Sequence, residues 1–249
     1  MTQRRRLHAA VKGRAIIGWQ AIVRAGRQEL GTLAALLLCA GLILIFGIVA
    51  SEMTEGETHA FDNAVILAMR APGNHADPLG PTWFEQAVRD ITSLGSNTVL
   101  TMVTLFAVGY LALSGARGSA LLLFASVGGG AILIQVLKQA FGRTRPDLVP
   151  HSLYELTRSF PSGHATMSAV TYLTLGALLA KVQTRRVFKT YLLSVAVLLT
   201  LLVGVSRVYL GLHWPTDVLA GWCLGSAWAI GCWLLTARLS RVRAATTRG

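Results

Sequence analysis

The chain has 249 residues, 53% of them hydrophobic, a formal net charge of +12 and a mean hydropathy of +0.54. That is too apolar for an ordinary soluble domain. Apolar runs separated by basic segments argue against nucleic acid as the partner of the charge and for loops that face anionic lipid.

The elements follow in order. Residues 1–30 are basic, with Arg4, Arg5, Arg6, Lys12, Arg14, Arg24 and Arg27 against Glu29. Ile16, Trp19, Ile22 and Val23 recur at roughly helical spacing, which fits an interfacial amphipathic helix or a basic tail that sets orientation. The apolar run at 32–50 is long enough to span a bilayer and longer than a signal-peptide core. A polar region follows at 51–96, with seven carboxylates, a short helical pattern at 60–70, a Pro/Gly-rich stretch at 71–81 and a second short helix at 83–94. Further spans are expected at 97–113, 119–137, 162–180, 190–205 and 215–235, with a basic tail after 238. The expected fold is all-α, an integral membrane bundle of six transmembrane helices. Its expected parts are a basic segment at 1–30, a six-span domain at 31–237 and a tail at 238–249.

Orientation is read from charge. With the N-terminus inside, the inner segments 1–30, 181–189 and 238–248 together with Arg117 hold 16 of the 23 Lys and Arg. The other seven are Arg70, Arg89, Lys138, Arg143, Arg145, Arg158 and Arg207, and most of these lie in or beside the blocks described next. The bias places both termini in the cytoplasm and the loops at 139–161 and 206–214 on the outer face.

Those two loops carry the chemistry. Lys138, Arg145-Pro146, Pro161-Ser162-Gly163-His164, Ser206-Arg207, His213 and Asp217 stand within about 80 residues, each near a predicted helix end. Three fixed cations suit a tetrahedral phosphate, whose oxygens accept several charge-assisted hydrogen bonds. Two histidines suit phosphoryl transfer without a metal, one attacking phosphorus and the other protonating the leaving oxygen. Ser159 or Ser162 can cap the helix at 162–180, so that the N–H groups of Ser162, Gly163 and His164 point at bound phosphate. Pro215 fits the first turn of the last helix, and Asp217 can reach back to His213 to fix its tautomer.

The three blocks, with six residues between Lys138 and Arg145, five between Arg207 and His213 and three between His213 and Asp217, resemble the type-2 phosphatidic acid phosphatase family, which shares its site with vanadium haloperoxidases. The resemblance covers the C-terminal 60% or so of the chain and leaves 1–137 without a motif. It implies that His213 is the nucleophile, that His164 protonates the leaving group with Asp217 behind His213, and that Lys138, Arg145, Ser162, Gly163 and Arg207 bind phosphate. It implies a lipid phosphatase acting on a phosphomonoester or diphosphate at the outer face of a bacterial inner membrane, with no cofactor and no metal. Undecaprenyl diphosphate is the first substrate expected, with phosphatidylglycerophosphate, phosphatidic acid and lipid A as alternatives. A transporter or binding protein for phosphorylated lipid is the reading from another class; it needs only the cations, and the intact His213, His164 and Asp217 speak against it.

Other residues read more plainly. Cys39, Cys223 and Cys232 fall in apolar runs as small buried side chains without metal-type spacing. His8, His59, His75 and His151 read as solvated, and Asp147 and Glu155 as loop solubility. Gly221 and Gly225 form a Gly-x-x-x-Gly suited to close packing inside the bundle.

Overall fold

The computed structural model describes residues 3–146 and 158–246, without the side chains of 3–25, 27, 28 and 240–246. Asp147, His151 and Glu155 lie outside what is described, as do the side chains of the basic residues at 4–27 and 241–248. The chain divides into two units, residues 1–38 and 39–249. The first is the N-terminal part of helix α1 (Gln3–Glu55).

The second unit holds the end of α1, then α2 (His59–Leu67), a hairpin of β1 (Arg70–Ala71) and β2 (Asn74–Pro78), α3 (Thr82–Ser93), α4 (Asn97–Leu113), α5 (Arg117–Phe141), α6 (Gly163–Val182), α7 (Arg186–Tyr209) and α8 (Pro215–Thr246). Among the described residues five helices are long and apolar enough to cross a membrane, at Glu29–Glu55, Arg117–Phe141, Gly163–Val182, Arg186–Tyr209 and Pro215–Leu239. At about 1.5 Å per residue, α4 alone falls short of a bilayer core of about 30 Å. Only together with α3 is it long and apolar enough, as a pair bent by 47° at the break, which brings the candidate spans to between five and six. The helical membrane bundle expected from the sequence is therefore present.

The Pro/Gly-rich stretch at 71–81 takes part in a strand pair that the sequence does not announce: Arg70 pairs with Pro78 and Ala71 with Asn74 in a short antiparallel ladder. A two-residue strand has no alternating pattern to read. What closes it is Gly73 at φ +82 and the Asn74 side chain, whose oxygen accepts from the Ala76 amide at 3.1 Å.

Helix α6 is the centre. In its most apolar window 61% of residues are buried, against 33–39% for α5, α7 and α8. Its sequence explains why: small residues and hydroxyls replace the large apolar side chains of a lipid-facing helix. Several of the hydroxyls are satisfied within the bundle, Thr166 donating to the Ser162 carbonyl at 2.8 Å and Ser168 to Ala165 at 3.1 Å, with Thr174 paired to Ser126 of α5 at 3.2 Å. The Gly-x-x-x-Gly of α8 lies against this helix. A Cβ on Gly225 would sit 2.4 Å from the Thr166 carbonyl oxygen, and one on Gly221 would sit 2.9 Å from that of Ser162. These glycines bring the N-terminus of α6 directly onto the first turns of α8.

Candidate active site

The spacing of the last block is the geometry of a helix end. Helix α7 stops where Gly211 takes φ +70, and the Leu212 and His213 amides fold back onto the Arg207 carbonyl at 2.9 and 3.3 Å. The five residues between Arg207 and His213 are that turn. Helix α8 then starts at Pro215, whose missing N–H costs nothing there. Asp217, in the first turn, accepts from the Trp214 amide at 3.1 Å, half of a capping box. The same carboxylate oxygen faces His213 Nδ1 at 3.4 Å, so the three-residue spacing makes one oxygen both cap and orienting group.

Ser159 enters between them. Its hydroxyl donates to Asp217 Oδ2 and lies 3.2 Å from His213 Nδ1. With that proton given to the carboxylate, the hydroxyl oxygen is an acceptor toward His213. The pattern assigns the ring proton to Nδ1 and leaves the lone pair on Nε2. His213 is 1% exposed. Burial first, then the charges of Arg207, Arg145 and Lys138, push its pKa well below the ordinary histidine value, against a hydrogen bond that the ring donates to the Ser159 backbone, which raises it. Burial and the cations thus favour the neutral imidazole over the charged one.

The three cations come from three places. Lys138, in the last turn of α5, donates to the Arg158 carbonyl at 2.6 Å, and its Cε lies 3.7 Å from where a Cβ on Gly163 would stand. Arg145 leaves the segment after α5 and donates to the Leu212 carbonyl at 2.7 Å, beside His213. Arg207, buried in the last turn of α7, reaches Thr92 Oγ1 of α3 at 3.4 Å. The same cations and His213 are within electrostatic range of His164, at the start of α6. The sequence blocks thus converge at one end of the bundle.

The Ser162 expectation is corrected. Ser162 is fully buried and its amide is committed within the protein. Its N–H donates to the Asp217 carbonyl at 3.0 Å, and its hydroxyl caps α6 by accepting from Ala165 N at 3.5 Å. The close approach of α8 to α6, which Gly221 permits, is what takes the amide away from the anion. The helix-end donors left over, with no partner among the described residues, are the Gly163 and His164 amides. Ser159 is likewise not the cap; it serves Asp217 and His213.

Sequence reasoning missed a buried polar cluster behind His213. Arg143 Nη1 donates to Asp217 Oδ1 at 2.7 Å and to Thr216 Oγ1 at 2.8 Å. Its Nη2 donates to Asp62 Oδ2 at 2.7 Å and Thr58 Oγ1 at 3.2 Å. Asp62, on α2, also accepts from the Thr216 amide at 3.0 Å and hydroxyl at 2.7 Å, capping α8 from outside. The indole of Trp214 lies under the Arg143 guanidinium at 5.4 Å and donates to the Thr144 carbonyl at 3.1 Å. The one available signal was Arg143 standing two residues before Arg145; nothing in the sequence ties Asp62 to it. A second missed contact is Gly95, where a Cβ would meet His164 Cδ2 at 3.2 Å and Val203 Cγ1 at 2.3 Å, so the turn before α4 packs directly on the histidine.

The model of the PAP2 superfamily matches residues 119–241. Phosphatidylglycerophosphatase B of Bacillus subtilis is 31% identical over 185 residues, which are 74% of this chain and 87% of that protein. Lipid A 1-phosphatase of Rhizobium johnstonii is 30% identical over 193 residues, 67% of this chain and 73% of that protein. Undecaprenyl-diphosphatase of Sulfolobus acidocaldarius is 35% identical over 100 residues, 38% of this chain and 44% of that protein. The crystal structure of a transmembrane PAP2-type phosphatidylglycerolphosphate phosphatase from Bacillus subtilis matches with a TM-score of 0.69 at 28% identity, over 80% of this chain and 96% of that one. The chain belongs to the PAP2 superfamily, as a membrane lipid phosphatase.

Proposed function

We propose that the protein hydrolyses a phosphomonoester or diphosphate of a lipid through a phosphohistidine on His213, without a metal. The observation that carries this reading is the buried His213 itself, held at Nδ1 by Ser159 and Asp217 and within electrostatic range of three cations. Nε2 attacks phosphorus, the bond from phosphorus to the leaving oxygen breaks, and His164 gives that oxygen its proton. Water then attacks phosphorus as His164 takes back a proton, the P–N bond breaks and phosphate leaves. Lys138, Arg145, Arg207 and the Gly163 and His164 amides stabilise the charge on the equatorial oxygens, the work a metal ion does elsewhere.

The similarity that runs along most of both chains favours phosphatidylglycerophosphate as the substrate. A second reading, undecaprenyl diphosphate, is favoured by the shorter but higher identity to a protein of that activity, and it is the one expected from the sequence. Phosphate release by purified protein, in EDTA, from a panel of both lipids with phosphatidic acid and a lipid A 1-phosphate, decides between them. The expected result is turnover unchanged by EDTA, inhibition by vanadate, which adopts trigonal bipyramidal geometry on a histidine nitrogen, and about tenfold preference for one lipid. Loss of activity in EDTA with recovery in magnesium sinks the mechanism.

The charge distribution supports cytoplasmic termini and a site on the outer face of a bacterial inner membrane. With Cys39, Cys223 and Cys232 replaced by alanine, His75→Cys in the hairpin is expected to react with an impermeant thiol reagent in cells whose outer membrane is permeabilised. Thr184→Cys, between α6 and α7, is expected to react only after inner-membrane lysis. The opposite pattern reverses the topology.

A further inference from the structure

We infer that Asp62 and Arg143 form a clamp that positions the nucleophile, and that helix α2 of the outer polar region is in this way part of the active site. The inference rests on the role given above to His213. Arg143 is nearly buried, and both terminal nitrogens are committed to Asp217, Thr216, Asp62 and Thr58. It stands between two fully buried carboxylates, at 2.7 Å from each. It is therefore not a fourth cation of the phosphate cup, although it lies two residues from Arg145.

The clamp acts on orientation. A carboxylate on a short side chain can turn about its last bond, and Asp217 must present Oδ2 to Ser159, Trp214 N and His213 Nδ1 at once. Arg143 holds Oδ1 from the other side, which sets the plane of the carboxylate. Asp62 holds Arg143 and, through the Thr216 amide and hydroxyl, the backbone turn that carries Asp217. The two carboxylates and one guanidinium carry a net charge of −1 directly behind His213. That charge favours the positively charged phosphoimidazolium over the neutral ring as the P–N bond forms. Arg143 and Asp62 are positioning residues: neither is placed to touch the substrate.

The test compares Arg143→Gln, Asp62→Asn, the double variant and the milder Thr216→Val. The readouts are kcat, KM and the Ki for inorganic phosphate, which reports on the cup alone. The clamp predicts that Arg143→Gln and Asp62→Asn each lower kcat by about 10- to 100-fold, the range seen for groups that orient a reacting residue. KM and the phosphate Ki stay within about threefold of wild type. The double variant is no worse than the poorer single one, because both act through Asp217. Thr216→Val, which unpairs no charge, lowers kcat a few-fold with the Ki unchanged. An unchanged kcat, additive losses, or a Ki that rises in step with the loss of kcat overturns the inference. So does a site that no longer binds phosphate in any of the four, since Arg143 and Asp62 would then serve the fold alone. His213→Ala is the control for the reading beneath: an active His213→Ala removes that reading, whereas an inactive one beside a fully active Arg143→Gln removes the clamp and leaves the reading standing.

Discussion

His213→Ala forms no phosphoenzyme with any substrate, and its turnover falls by about 10⁴-fold or more, as when a nucleophile is removed from a site that keeps its anion cup. His164→Ala fails differently. Its loss falls on protonation of the leaving oxygen, so attack survives when the leaving group departs unprotonated, as an aryl phosphate does. By microscopic reversibility His164 also activates the water that clears the intermediate. Given an aryl phosphate, the His164→Ala enzyme therefore accumulates an acid-labile, base-stable phosphohistidine on His213. The asymmetry that motivates this is structural: His213 Nδ1 faces Ser159 and Asp217, at 3.2 and 3.4 Å, whereas His164 sits at the start of α6 against Gly95. Radiolabelled phosphate trapped on each variant, with its acid and base stability, is the measurement. Label retained by His213→Ala and lost from His164→Ala exchanges the two roles.

Asp217→Asn is expected to lower kcat roughly 10³- to 10⁴-fold while the Ki for phosphate changes little. Both carboxylate oxygens accept only: Oδ1 from Arg143, and Oδ2 from Ser159, Trp214 N and His213. An amide has one accepting oxygen, so its NH₂ must face either the Arg143 guanidinium or this second group of donors. Against Arg143 it sets donor on donor. Against His213 it donates to Nδ1, the ring proton moves to Nε2, and the lone pair that attacks phosphorus is gone. The ¹⁵N shifts of His213 report the tautomer directly. A variant that keeps a tenth of wild-type kcat, or one whose ring proton stays on Nδ1, shows that the carboxylate does not set the tautomer.

Much of the site is legible in the sequence because it is built from local geometry at helix ends. The interval from Arg207 to His213 is a C-terminal turn and that from His213 to Asp217 is the first turn of the next helix, so each spacing is the length of a hydrogen-bonded motif. The spans are legible for a similar reason: a bilayer requires a run of apolar residues of known length, and the expected limits at 97–113 and 190–205 fall on or within α4 and α7, while that at 162–180 starts on the cap residue of α6. The hairpin at 70–78 was not legible, being held by turn geometry with no apolar face to show.

By itself the sequence determines the number of apolar helices, the charge on the loops between them, and the presence of three cations, two histidines and a carboxylate at helix ends. Only the tertiary structure decides who shares whom. That Ser162 gives its amide to Asp217 follows from how closely α8 approaches α6, a distance set by Gly221 and Gly225 in contact with another helix. That Ser159 serves His213 follows from the segment before α6 being tied to Arg143, whose carbonyl accepts the Ser159 amide at 2.8 Å. That Asp62 belongs to the site at all depends on packing α2 against the start of α8, 154 residues later in the chain. A buried carboxylate requires partners whatever their separation in sequence, and only the folded chain brings Arg143 and Thr216 to it.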